Sequence, residues 1–371
     1  MDFSLSEDHE ALRDSAANFL NKEVDHSPLL VPKAKVDQAG YDKLWPQIVE
    51  LGWPAIVVPE SYGGLGMSYI DLIMIIGEMG RTLAAAPLFG TLAGSWMVEA
   101  AGSEAQKSEL LVAVAAGELK MALAVADDDG GLDNAVSSAK ASKASHGYVL
   151  SGSKNYVVDA ASSDKIVVAA DSDDGRQFFI IDSDTAGVRI ETLDWRDITR
   201  EVCSLQLDNV PAQLLENSNP ECWPWVRDRL YLVLATESMA GIKFVLSDTV
   251  EYAKQRVAFG RPIGSFQAIK HQLADIAGLS ELTEAAVQYA AWALSESDEK
   301  ATIAVTMAQS YSSDSYNAAV HRYIQVFGAI GFTWEMKNHL YFKRARANSE
   351  LLGSPVQQRE EVIQILERKA A

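Results

Sequence analysis

Arg256-Val257-Ala258-Phe259-Gly260-Arg261-Pro262-Ile263-Gly264-Ser265-Phe266-Gln267, continuing Ala268-Ile269-Lys270-His271-Gln272-Leu273-Ala274-Asp275, is the stretch on which the reading of this chain turns. A long helix is expected to end near Gly260, with Ser265 placed to cap the next one. Phe266, Ile269, Leu273 and Ile276 then step by 3, 4 and 3, a seam suited to a helix bundle. Arg256, a bidentate phosphate donor, falls near the positive end of a helix, with Phe259 and Gln267 close by. That grouping suits a pyrophosphate. Taken alone, the stretch reads more simply as a plain helix–turn–helix carrying a surface arginine, with the pyrophosphate reading still open.

Upstream the periodicity changes. From about Lys120 to Val210 the apolar period is two. Tyr148 to Ser151, Lys165 to Val168, Gln177 to Ile181 and Cys203 to Leu207 read as short strands, separated by turn clusters such as His146-Gly147 and Asp171 to Gly175. An antiparallel sheet or small barrel is expected there. Further upstream, Ser4-x-x-Glu7 is a plausible capping box for a first helix through Leu12, Phe19 and Leu20. Leu44, Ile48 and Leu51 keep a helical spacing until Gly52-Trp53-Pro54 ends the run, and an apolar helix follows from about Tyr69 to Met79. The layout is α+β: an N-terminal helical domain over 1–118, a middle antiparallel β-barrel-like domain over 119–215, and a C-terminal helical bundle over 216–371.

Composition narrows the function. Among 371 residues, 32 Lys+Arg stand against 51 Asp+Glu, a net charge of −19 that repels nucleic acid and anionic membrane surfaces. The two cysteines, Cys203 and Cys222, fit a reducing compartment and cannot build a four-thiolate metal site. The first residues carry neither a basic nor an apolar leader segment, and the uncharged stretch Thr82 to Val98 is too short and too Gly/Pro-broken for a membrane span. A cytoplasmic protein is expected. No zinc spacing, nucleophile elbow, Walker loop or Rossmann glycine pattern is present. Asp127-Asp128-Asp129-Gly130 lacks the ligand spacing of a calcium loop and reads as a solvated turn.

Three ordered segments together resemble the acyl-CoA dehydrogenase family. They are Gly52-Trp53 through Pro59-Glu60-Ser61-Tyr62-Gly63-Gly64-Leu65-Gly66, the Arg256 to Gln267 turn, and Gln325-Val326-Phe327-Gly328-Ala329-Ile330-Gly331-Phe332-Thr333-Trp334-Glu335. Ala329 replaces a family glycine in the last of these. The resemblance implies FAD-dependent oxidation of an acyl-CoA thioester, in which a carboxylate removes the α proton and the flavin takes the β hydride. It also implies that one subunit's arm holds the ADP half of its neighbour's FAD. By motif, Arg256 and Phe259 would meet the pyrophosphate region, while Gln267, Gln325 and the Gly328 backbone would line the adenosine end.

The departures from that pattern are concentrated. The family's flavin-ring loop reads Thr-Glu-Pro-Gly, and here the stretch is Ala126-Asp127-Asp128-Asp129-Gly130. Its second ring contact, Trp-Ile-Thr-Asn, becomes Tyr156-Val157-Val158-Asp159. Ala126 and Val158 therefore offer no hydroxyl, and Tyr156 reads as packing with stacking still open to it. The two family positions for the base fall, by counting, on Leu230 and Leu352, neither of which takes a proton. Glu237 and Glu350 are the nearby fallback bases; each reads more simply as a helix-face or solvated carboxylate.

Retention of the ADP-side residues beside loss of the ring-side residues resembles the β-type subunit of heteromeric α2β2 acyl-CoA dehydrogenases. Such a chain has no catalytic residue of its own and contributes FAD-clasping residues to a catalytic α-type partner. Those assemblies often act on CoA thioesters of steroid or bile-acid side chains. Two alternatives stay open: a self-contained homotetrameric dehydrogenase with a relocated base, and a flavin-dependent monooxygenase on the same fold.

Overall fold

The computed structural model describes residues 5–132, 134–145 and 147–370. Five helices come first: α1 (Glu7–Glu23), α2 (Gln38–Glu50), α3 (Tyr69–Thr82), α4 (Leu88–Ala101) and α5 (Glu104–Ala115). The capping box of α1 is two residues later than the sequence suggested. Ser6 is the cap and His9 its reciprocal partner, because the His9 ring accepts from the Ser6 N–H while Ser6 Oγ accepts from the His9 N–H. Ser4 lies outside the described residues, as does His146 of the predicted turn.

Seven strands follow: β1 (Met121–Ala124), β2 (Ala139–Lys143), β3 (Tyr148–Val158), β4 (Lys165–Ser172), β5 (Gly175–Asp182), β6 (Val188–Thr192) and β7 (Val202–Leu214). Six follow the order β1-β4-β2-β3-β7-β5, with β6 paired to β7; β5 pairs back onto β4, so the sheet closes on itself as a barrel-like unit. Its inside is filled by small and branched residues, Ala124, Val168, Ala170 and Phe179 among them. The expectation of a wholly antiparallel sheet needs correcting. β1 runs parallel to β4, and β2 meets β4 in one parallel pair, Lys140 with Asp171. The β2–β3 hairpin lies between β1 and β4 in the chain and supplies the long crossover that parallel pairing requires.

Helices then return: α6 (Cys222–Gln255), the two-stranded hairpin β8 (Val257–Ala258) and β9 (Arg261–Pro262), α7 (Gln267–Ser295), α8 (Ala301–Phe327), α9 (Asn338–Asn348) and α10 (Pro355–Ala370). α6 ends at Gln255, not near Gly260, because the chain leaves it directly into the hairpin. Ser265 caps nothing: its hydroxyl donates to Pro262 O, and Phe266 stands at the N-cap of α7. Within α6 every residue from Leu230 to Ile242 is buried. Although this helix is long and apolar enough to cross a membrane, 78% of its apolar window is buried inside the protein.

The helix α4 explains how the helices grip the sheet. Nearly all of it is buried and Pro87 gives it no side-chain cap. A Cβ on Gly90 would lie 2.9 Å from Met121 O and Val158 O, so only glycine permits this approach. The missing cap is supplied from the sheet side, where Asp159 Oδ2 accepts the Gly90 N–H at 2.9 Å. Its other oxygen accepts from Tyr41 Oη on α2 at 3.2 Å. Burial pushes the Asp159 carboxyl up to about 7.

Candidate functional site

Ala126 follows β1, Val158 closes β3, Leu230 lies on α6, and Leu352 sits in the connection between α9 and α10. These four positions, scattered along the sequence, line one cavity together with Phe89 and Trp223. Its free volume is about 30 Å3. That is room for a water or two, and far less than a three-ring flavin occupies. The hydrocarbon of Leu351 and Leu352 enters from one side, held because Tyr231 Oη donates to Leu352 O at 3.3 Å and Gln358 Nε2 to Gly353 O at 3.1 Å. Tyr156 edges the cavity with φ +56 and its ring 5.8 Å from that of Trp195. Among the described residues, those lining the slot include no carboxylate and no short hydroxyl.

Glu237 lies two turns along α6 from Leu230, on the same helix face, but lines a separate small cavity with Arg200 and Arg344. Its carboxylate is buried between two guanidiniums: Arg200 Nη2 at 2.5 Å from Oε1 and Arg344 Nη1 at 3.6 Å from Oε2. Asn348 Nδ2 donates to Oε2 at 3.1 Å and accepts from Arg200 on its own oxygen. Arg344 is held in turn by Asp197 and by Thr199. A carboxylate so engaged is a structural ion, not the helix-face carboxylate that the sequence suggested. The Arg200 guanidinium also lies 4.8 Å from the Phe89 ring centroid, so the network braces one wall of the slot. Glu350 behaves as read: it is exposed and pairs with Arg346 at 2.9 Å. It faces a wide cleft of about 1370 Å3 between residues 129–132 and α10, which adjoins the slot at Tyr156 and Leu352.

The acidic run beside the slot is a correction. Asp128 and Asp129 are turn residues, accepting from Ser153 Oγ and from the Gly131 N–H. Asp127 is buried instead, 2.6 Å from the fully buried Lys154 Nζ, and it also accepts from Ser137 and Ser138. Burial alone would raise its pKa, but the Lys154 ammonium and the serine donors outweigh that and hold it down to about 2. Sequence reading missed this pair. The available signal was a lysine on the inward-facing register of β3, where alternation calls for an apolar side chain.

Arg256, Phe259, Gln267, Gln325 and Gly328 are all solvent-exposed. The structure puts them at one end of the bundle. Tyr252, one turn before Arg256, stacks on Phe327 at 3.9 Å, next to Gly328, and so ties the ends of α6 and α8 together. Among the described residues Arg256 has no ion-pair partner, and a Cβ placed on Gly328 would meet nothing within 4 Å. An open arginine, an exposed aromatic ring and exposed backbone fit the diphosphate and adenosine portion of a dinucleotide. The slot does not fit its flavin ring. Leu230 and Gln255 are 25 helical residues apart on α6, a separation of roughly 38 Å. A single FAD is shorter than that span, so the arm and the slot of one chain cannot hold the two ends of the same molecule.

Three family models match in order: "Acyl-CoA dehydrogenase, N-terminal domain" over 6–118, "Acyl-CoA dehydrogenase, middle domain" over 122–210 and "Acyl-CoA dehydrogenase, C-terminal domain" over 230–366. The chain is 33% identical over 356 residues to the acyl-CoA dehydrogenase IpdE2 of Mycobacterium tuberculosis, covering 94% of each. A variant of the Tcur3481-Tcur3483 steroid acyl-CoA dehydrogenase superposes with a TM-score of 0.87 at 26% identity, over 99% of both chains. The ChsE4-ChsE5 complex from Mycobacterium tuberculosis shares the fold, with a TM-score of 0.86 at 24% identity over 99% of both chains.

Proposed function

The chain belongs to the acyl-CoA dehydrogenase family, whose members are FAD-dependent oxidoreductases, and we propose that it is the non-catalytic, FAD-clasping subunit of a heteromeric dehydrogenase. One observation carries this reading. Ala126, Val158, Leu230 and Leu352 converge on a single apolar cavity of about 30 Å3, where a flavin ring and a base would have to sit. In the reading proposed, the catalytic α-type partner holds the flavin ring, which accepts a hydride from the acyl chain, and supplies the glutamate. This chain gives Arg256, Phe259, Gln267, Gln325 and the Gly328 backbone to the ADP half from its C-terminal portion, 216–371, while 1–118 and 119–215 form the helical and β portions. The roughly 38 Å between slot and arm supports donation to a neighbour rather than self-use.

The substrate proposed is the CoA thioester of a steroid or bile-acid side chain, in the cytoplasm. The similar Tcur3481-Tcur3483 protein is described as a steroid acyl-CoA dehydrogenase and is named for two components, which supports both the substrate class and the pairing. The test is co-expression with a catalytic-type dehydrogenase encoded beside it, followed by assay on a steroid side-chain CoA thioester. Turnover should require both chains. Full turnover by this chain alone would discard the reading and direct attention to Glu350, the fallback carboxylate that faces the cleft.

A further inference from the structure

The hairpin between α6 and α7 carries an oddity. β8 and β9 pair as Val257 with Pro262 and Ala258 with Arg261, which leaves a two-residue loop of Phe259 and Gly260. Both have positive φ, +54 and +75. That is the signature of a type I′ turn, whose first position is normally Asn, Asp or Gly. A phenylalanine there is strained, since its Cβ crowds the backbone in the left-handed region. It is also 94% exposed, so packing on the body of the protein does not compensate.

The surroundings show what holds it. The Arg261 guanidinium lies 4.2 Å from the Phe266 ring centroid, and the Phe266 ring meets that of Phe259 edge-on at 6.1 Å and 87°. Ile263 N–H donates to Arg256 O at 2.8 Å, and Phe266 N–H to Ile263 O at 3.0 Å, closing the base of the hairpin. Phe259 thus touches the Phe266 ring of an Arg261–Phe266 pair while most of its surface stays open.

We infer that Arg261 and Phe266 are positioning residues that pre-shape this hairpin, so that Phe259 and Arg256 meet the diphosphate end of FAD without reordering. The inference rests on the proposed reading of the arm as an FAD clasp, but not on which subunit supplies the base. A preformed clasp spares the ordering entropy of a floppy loop, and its loss is felt mainly in release of the cofactor.

The experiment follows FAD release, as rising flavin fluorescence after dilution, from the assembly in which the chain purifies with flavin. Phe266→Leu and Arg261→Gln are expected to speed release about two- to fivefold, the scale of one exposed cation–aromatic contact. Assembly size and apoprotein melting should stay unchanged, and Phe266→Tyr and Arg261→Lys should release FAD close to the wild-type rate. Phe259→Asn relieves the strained turn, so it should melt no lower than wild type yet release FAD faster. Wild-type release rates in both Phe266→Leu and Arg261→Gln would overturn the positioning role and leave the clasp reading standing. A wild-type protein that holds no flavin in any assembly would overturn both.

Discussion

Replacing Asp159 by asparagine isolates one buried proton. The carboxyl caps α4 in trans through the Gly90 N–H, receives the Tyr41 hydroxyl from α2, and has Arg200 and Glu201 beside it on the segment entering β7. Burial dominates, with the Gly90 N–H and then the Arg200 charge opposing it, and the pKa stands at about 7 against an ordinary 3.8. The raised value fixes the sign. Below about pH 4 the folded and unfolded chains both hold the proton. Between 3.8 and 7 only the folded chain keeps it, so stability falls as pH rises, and above 7 the loss is complete. At about 1.4 kcal/mol per pH unit the loss approaches about 4 kcal/mol. Asparagine keeps an acceptor for Gly90 and carries no charge. Asp159→Asn should therefore match wild type near pH 4 and gain at pH 8, by up to about 5 °C in melting temperature for a unit of 371 residues. Calorimetry of both proteins at the two pH values reads the difference directly. A variant that melts lower than wild type at pH 8 would refute the reasoning, since it would mean that the ionised carboxylate stabilises the cap.

Two further substitutions probe the other buried charges. Lys154→Met leaves Asp127 buried without its cation and should cost about 3–5 kcal/mol in urea unfolding, while adding Asp127→Asn should recover most of that. A single variant as stable as wild type would contradict the pairing. Glu237→Gln should cost stability, about 3 kcal/mol, because Arg200 and Arg344 lose their shared anion. Turnover of the assembled enzyme should persist in that variant; abolished turnover with FAD retained would reinstate Glu237 as a base.

Part of this was legible from periodicity and part from the family resemblance. The period-two stretches became strands, and counting along two motifs brought Leu230 and Leu352 to one cavity although 122 positions separate them. What escaped was set by tertiary partners. Asp127 looks like any acidic turn residue until Lys154, on another strand, is brought under it. The cap of α4 comes from a residue 69 positions away, which no N-cap rule searches. Glu237 needed Arg200 and Arg344 from two other segments to be recognised as a structural ion. The end of α6 was placed too late because Phe259-Gly260 was read as a helix terminus, whereas the two-residue loop closes a hairpin. The parallel edge of β1 was invisible because alternation reports which face a residue takes, not the direction of its neighbour.

The central claim is that this chain has an ADP clasp but no place for a flavin ring. Its most direct test is the FAD content of the chain purified alone, read from visible absorbance against protein concentration. Near-zero flavin is the predicted result, rising to about one FAD for each pair of chains once the catalytic partner is present. One FAD per protomer in the chain alone would contradict the account, because an apolar slot of about 30 Å3 is too small for the ring.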